Sequence, residues 1–224
     1  SGCTASSGNG SGVYAQGDQA GVTMENGSRI ENCTSTSENS SSGGGGVYLY
    51  GSNSILTMNG SRIENCTSTS ASGSSGGGVY LYGSNSILTM NGSFISGCTA
   101  SKSGGAAYLA GRFSQMSMDK SSVSRCNAPS GGGIYLSGSN ANVSMERSTI
   151  SDCHATTSNG GGVHISGTDA KMDVNNSSIT DCKAVNGGGV SLCFRAALSL
   201  KGGSAITGCN AMEYGGGVYL YSPN

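Results

Sequence analysis

The chain has 224 residues, a formal net charge of −1 and only 10% charged residues. That balance excludes a basic nucleic-acid groove and a polybasic face for anionic membranes. Glycine supplies 40 residues and tryptophan none, a composition that reads as disorder unless periodicity overrides it.

Periodicity does override it. Residues 1–11 enter part-way through a repeat, at Cys3 and a Ser/Gly corner, with no polar cap. From there a hydrophobic residue after a glycine run recurs at Val13, Val47, Val79, Ala107, Ile134, Val163, Val190 and Val218, a mean period of about 29 residues that signals a solenoid. Gly76 to Ser93 repeats Gly44 to Ser61 without a change, and Asn26 to Ser37 repeats Asn59 to Ser70 likewise. A cysteine column, Cys3, Cys33, Cys66, Cys98, Cys126, Cys153, Cys182 and Cys209, keeps step with it. Glycine run and cysteine lie 20 residues apart in the first copy (Val13 to Cys33) and 19 in each later one. The spacing from cysteine to the next run varies, so insertions are confined to one corner. The longest corners, residues 34–46 and 67–78, are expected to move.

Within each copy the apolar residues alternate, as in Val47/Leu49 and Leu56/Met58, and a third short segment such as Ile63–Cys66 follows. A period of two predicts strands. Gly51-Ser52-Asn53 and Asn59-Gly60-Ser61 are turn chemistry. No window carries a helical stripe. Propeller blades need about 40 residues, whereas columns of like residues are what in-register coils about 4.8 Å apart produce. The expected fold is therefore all-β: one single-stranded parallel β-helix over residues 1–224, three short strands per coil, about seven coils. Its core columns start at Val13, Leu49, Met24 and Ile30.

Later copies diverge. Gln115-Met116 replaces Ile-Leu, and His164 and Ser191 replace the usual tyrosine. The last full coil is one residue short before Leu198 and one long before Ile206, which predicts a shifted corner near Arg195 and a bulge near Gly202-Gly203. The end at Val218–Tyr221 is as abrupt as the start. Three explanations fit: a segment of a longer solenoid, an end that receives another copy head to tail, or an atypical cap.

Ile95-Ser-Gly-Cys98-Thr-Ala100, followed by Gly104-Gly-Ala106, resembles the repeats of chlamydial-type polymorphic outer-membrane proteins, which pair GGA[ILV] with FxxN. All eight copies share the pattern, with cysteine standing where that family has asparagine. The resemblance implies a right-handed parallel β-helix displayed at a cell surface, often in adhesion, and supplies no catalytic residues.

The candidate functional residues follow from the columns. Tyr14, Tyr48, Tyr80, Tyr108, Tyr135 and Tyr219, with Tyr50, Tyr82 and Tyr221 beside them, read as an outward strip. The strip serves either a lateral or glycan-stacking interface or simply strand stability. The cysteine column is either a stack of reduced core thiols or a disulfide ladder; its spacing gives no zinc set. Cys193 takes the position of Tyr50 and Tyr82 and reads as an odd, exposed thiol, or as a neutral substitution beside Phe194. Asn26, Asn32, Asn59, Asn65, Asn91, Asn142 and Asn175 sit in glycosylation sequons, which an Asn/Ser-rich chain also produces by composition. Asp119/Glu146 and Asp152/Asp181 are expected to neighbour each other on successive coils, as cation or acid–base pairs or as scattered surface charge. His154 and His164 lack a nucleophilic partner. The outward Thr23, Thr57, Thr89, Ser117 and Ser144 are interrupted by Asp173.

The expectation is an extracellular structural protein, not an enzyme, with no cofactor and no metal. It builds a surface fibre or adhesin stalk and partners itself, neighbouring domains or glycans, not nucleic acid or a membrane span. The alternative is a carbohydrate-active β-helix enzyme or a glycan-binding module. No apolar run has the length of a membrane span, and no signal-peptide pattern opens the sequence, as in a mature secreted chain.

Overall fold

A computed structural model describes residues 3–6, 10–36, 43–69 and 75–222. They form a parallel solenoid of about seven turns, without helix among the described residues. Each coil lays one strand into each of four sheets, and every neighbour within a sheet is the equivalent strand of the next coil. The first sheet runs from Val13–Gln16 to Val218–Tyr221 and has eight strands. The second, of seven, runs from Gly21–Glu25 to Ala197–Lys201, and the third, also of seven, from Arg29–Glu31 to Ala205–Thr207. The three expected strands are thus present. A fourth, mostly of two residues, follows each cysteine, from Thr4–Ala5 to Asn210–Tyr214, and forms its own eight-stranded sheet. Gly43–Gly44 and Ser75–Gly76 pair as a further short ladder. The two long corners fall partly outside the described residues.

The columns read from sequence are in register. Val47, Val79 and Ala107 pair in order, as do Met58, Met90 and Met118, and Ile63, Ile95 and Val123. Their side chains meet in one continuous core, fully buried through the central coils. A second inward column on the second sheet, Leu56, Leu88, Met116, Val143 and Met172, completes it. Burying apolar surface, at about 25 cal/mol per Å², is the main favourable term.

Left-handed backbone recurs at three corners of each coil, and from Gly104 on also at the first glycine of the run. The three corners lie at Asn53, Asn85 and their equivalents, at Gly60, Gly92, Lys120 and Arg147, and at Asn65, Gly97, Arg125 and Asp152, just before each cysteine. Asn and Gly visit that region at low steric cost, so the chain's Asn and Gly content is corner chemistry. Gly77 illustrates a second demand: a Cβ there would lie 2.3 Å from the Gly105 carbonyl oxygen and 2.6 Å from the Thr99 backbone. The fourth-sheet strand and the glycine run therefore pass too closely for any side chain.

The irregularities of the last coil sit in its corners. Phe194 and Arg195 both take positive φ, and so do Gly202 and Gly203. The flanking strands Ala197–Lys201 and Ala205–Thr207 keep register with the coil below. The extra residue is held in a turn, so the bulge expected at Gly202-Gly203 is absent from the ladder; the register shift lies between Ala184 and Asn186.

Candidate functional site

The outer face of the first sheet carries the candidate aromatic strip. Rings stack from coil to coil with centroid separations of 5.3 Å (Tyr14–Tyr48), 4.8 Å (Tyr48–Tyr80), 5.0 Å (Tyr80–Tyr108), 4.9 Å (Tyr108–Tyr135) and 5.1 Å (Tyr135–His164). Such pairs contribute about 0.5–1.5 kcal/mol each beyond their buried area. The strip is not the exposed surface expected from sequence. Tyr48, Tyr80 and Tyr108 are buried and form a second small core, with Ala110 and Tyr135 packed against it. They point away from the main core, yet the rings above and below cover their faces and the Tyr50 and Tyr82 rings stand edge-on beside Tyr48 and Tyr80. Burial and the neighbouring phenols push the Tyr48 hydroxyl well above the usual phenol range.

The exposed rings of the strip are Tyr14, at its first coil, and the rings beside it. Tyr14 is 41% exposed, Tyr50 41%, Tyr82 44% and Tyr221 49%. Tyr50 and Tyr82 stack on each other at 5.1 Å and 7°. Tyr219 is half-buried between Tyr214 and Tyr221. Tyr108 and Tyr135 share hydrogen bonds of 3.0 Å with Ser137 and Ser166 respectively, each on the next coil. His164 ends the stack. Its Nδ1 is buried without a partner, and burial lowers the imidazole to about 4.

All nine cysteines are free thiols. Cys33, Cys66, Cys98, Cys126, Cys153 and Cys182 are buried, Cys209 is intermediate and Cys3 exposed. From Cys33 to Cys209 each Sγ donates to the carbonyl oxygen two residues earlier, at 3.2 to 3.5 Å. The last residue of the run, glycine in most copies and Ala106 in one, lies over this column. A Cβ on Gly46 or Gly78 would come 3.4 or 3.3 Å from Cys66 or Cys98 Sγ, and 2.8 or 3.0 Å from Ile63 or Ile95 Cγ2. Cysteine and glycine run are thus two halves of one packing contact. Cys193 occupies the Tyr50/Tyr82 column but is buried, 8% exposed. The exposed reactive thiol expected there is corrected: burial also pushes this thiol up, away from the thiolate that reacts.

One column escaped the sequence reading. Ser61, Ser93, Ser121, Ser148 and Ser177, at the turn between the second and third sheets, are all buried. Each accepts or passes on a cross-coil bond: the backbone N–H of Ser61, Ser93, Ser121, Ser148 and Ser177 donates to the next serine's Oγ at 2.9 to 3.2 Å. The Oγ of Ser93, Ser121, Ser148 and Ser177 donates in turn to the carbonyl two residues earlier. The signal was a serine at one fixed place in every copy, hidden in a chain rich in serine.

The carboxylate pairs are only partly brought together. Asp119 and Glu146 are register partners, but Asp119 accepts from Arg147 at 2.6 Å and Glu146 from Asn175 Nδ2 at 2.6 Å. Both are committed to structural contacts, that of Asp119 exposed and that of Glu146 partly buried. Asp152 and Asp181 line a shallow recess with Asn127, His154 and Lys183. No group of three or more His, Cys, Asp or Glu able to hold a metal occurs among the described residues. Among the sequon residues, Asn26, Asn32 and Asn65 are exposed left-handed corners, and Asn91 is an exposed strand end. Asn59, Asn142 and Asn175 are half-buried. A further recess on the third sheet is lined by Arg62, Glu64, Phe94, Ser96, Ser122, Ser124 and Arg125, with the Arg62 guanidinium 6.0 Å from the Phe94 ring centre.

Residues 1–221 match the family model described as a right handed beta helix region. The chain belongs to the right-handed β-helix family. No curated protein and no solved structure matches it. The β-helix family includes both enzymes and structural proteins, so membership gives the fold and leaves the role to the side chains.

Proposed function

We propose that this β-helix is an extracellular structural protein, a building block of a surface fibre or adhesin stalk, and not an enzyme. The observation that carries the reading is where the repeated side chains go. The Val, Leu, Met and Ile columns, the serine and cysteine ladders and the central tyrosines are all engaged in coil-to-coil stacking. Some of the charged residues outside them form surface pairs, as Asp119–Arg147, Asp169–Arg195 and Asp173–Lys201 do. A polysaccharide-cleaving site needs convergent groups held ready for substrate. The resemblance to polymorphic outer-membrane repeats supports display at a cell surface. A second copy that adds its strands head to tail extends the same parallel ladders. Tyr14, Tyr50, Tyr82 and Tyr221 remain for lateral contacts.

Electron microscopy of the purified chain over a range of concentrations tests this. Fibres that lengthen with concentration are expected, unchanged by reductant because the thiols are free. Single short rods at every concentration refute self-assembly. Release of unsaturated or reducing sugar ends from acidic polysaccharides, with or without calcium, refutes the non-enzymatic reading.

A second reading rests on the recess at Phe94. An exposed aromatic ring, two guanidiniums and three serine hydroxyls within one concavity are the groups that stack on and hydrogen-bond a sugar. Titration with a glycan panel tests it, and a Phe94→Ala chain that binds as the parent does removes it.

A further inference from the structure

The central tyrosines and the Tyr50/Tyr82 pair differ in one respect that matters chemically. All are stacked phenols, but the central rings are sealed, whereas Tyr50 and Tyr82 are 41% and 44% exposed. Register places these two directly opposite each other on neighbouring strands. Their rings lie 5.1 Å apart and only 7° from parallel. The other close ring pairs each include at least one covered ring: Tyr14 leans at 37° on buried Tyr48. The pairs around half-buried Tyr219 are wider, at 5.9 and 6.2 Å. Tyr50 and Tyr82 also touch the sealed stack, edge-on to Tyr48 at 6.2 Å and to Tyr80 at 6.1 Å.

We infer that Tyr50 and Tyr82 form an oxidative cross-linking site, at which a peroxidase-type one-electron oxidant joins the two rings as dityrosine and staples neighbouring coils. Each phenol gives up one electron and one proton to become a phenoxyl radical. The two radicals then couple through a new bond between their ortho carbons. The hydrogen on each of those carbons moves to the phenol oxygen as the rings regain aromaticity. The chain loses two electrons and two protons, and one hydrogen peroxide accepts them to give two waters.

Proton release selects the site. A buried phenol must give up its proton in a low-dielectric surrounding, and leaving a charge there is costly. An exposed ring passes its proton to solvent directly. An electron vacancy on the contiguous stack therefore comes to rest at an exposed ring, Tyr14, Tyr50 or Tyr82, and of these three Tyr50 and Tyr82 stack on each other. Exposure also leaves these two rings free to turn edge to edge for coupling, which close packing denies to Tyr80. The inference concerns this pair alone and stands whether or not the chain assembles into fibres.

The test is peroxidase with hydrogen peroxide on the full chain, dilute enough that molecules do not meet, followed by intact mass and peptide mapping. The expected product is a monomer lighter by two hydrogens, with blue dityrosine fluorescence and the peptides of Tyr50 and Tyr82 joined. Tyr82→Phe keeps the stacked ring but cannot form the second radical, so the linked peptide disappears while the fold persists by circular dichroism. The inference is overturned if the linked peptide maps to Tyr14, Tyr214, Tyr219 or Tyr221, if only intermolecular links appear, or if Tyr82→Phe still yields the two-hydrogen loss.

Discussion

Two fully buried serines, close in the same coil, should respond oppositely to the same substitution. Ser121 Oγ receives the backbone N–H of Ser93 at 3.1 Å and donates to the Asp119 carbonyl at 2.7 Å. Ser121→Ala leaves the Ser93 N–H, itself fully buried, without an acceptor. A buried donor stranded in this way costs about 1–3 kcal/mol. Ser114 is equally buried, yet its Oγ has no partner. Its equivalents on the next coils are Ala141 and Ala170, both buried. Ser114→Ala removes an unpaired hydroxyl whose burial costs about 1–3 kcal/mol by mutational scales, at the expense of a small void. The expected change runs from nil to about 1 kcal/mol of stabilisation. Urea unfolding followed by far-ultraviolet circular dichroism, with both variants and the parent fitted with a common slope, measures the difference. Equal losses for the two variants would show that serine volume, not its hydrogen bonding, holds this turn, and the ladder argument would fail.

Other outcomes follow from the same geometry. Gly77→Ala drives a Cβ into backbone on two sides, and overpacking of this kind costs about 1–3 kcal/mol or more; Ala106→Gly, at a position in the next coil that already tolerates a methyl, should cost under about 1 kcal/mol, and thermal melts rank the two. His164 stays neutral when folded because burial lowers it to about 4, below its ordinary 6.5. The unfolded chain therefore binds the extra proton first, and stability present above pH 6.5 is lost as pH falls towards 4, by up to about 3 kcal/mol. His164→Tyr should flatten that part of the pH–stability profile; a profile parallel to the parent's refutes the assignment. Maleimide labelling of the native chain should modify Cys3 first and Cys209 more slowly, with Cys66, Cys98, Cys126 and Cys153 reacting only after unfolding; early labelling of Cys193 would contradict its burial.

The fold was legible because a solenoid writes each packing column into the sequence many times over. Val47, Met58 and Ile63 each predicted an entire sheet face, since in-register stacking makes one residue's environment the next one's. The candidate site was less legible, for two physical reasons. Alternation along a strand says which side of the sheet a residue faces, not whether that side meets water. Tyr48 and Tyr80 do face away from the core, and their stacking still buries them. Cys193 stands in the column of exposed Tyr50 and Tyr82 and is itself buried, so its outward position did not make it accessible. The serine ladder failed to stand out because buried and exposed serines look alike in sequence. What distinguishes Ser121 from Ser124 is a turn that brings its Oγ under the neighbouring coil's N–H.

The two faces of the first sheet suggest why divergence along the chain is tolerated unevenly. Inward, Val47, Val79, Ala107, Ile134, Val163 and Val190 are all fully buried, and each contacts the coil above and below, so a change of volume is felt on both sides. Outward, tyrosine gives way to His164 and then Ser191 without any shift of register through Val163–Ile165 and Val190–Cys193. Stacked rings contribute additive nearest-neighbour terms, as solenoid repeats do generally. Losing one rung removes two ring contacts, about 1–3 kcal/mol, and leaves the other rungs intact. The outer face can therefore change chemistry coil by coil while the inner columns hold the register. That is where differences between this β-helix and others of its family should be concentrated.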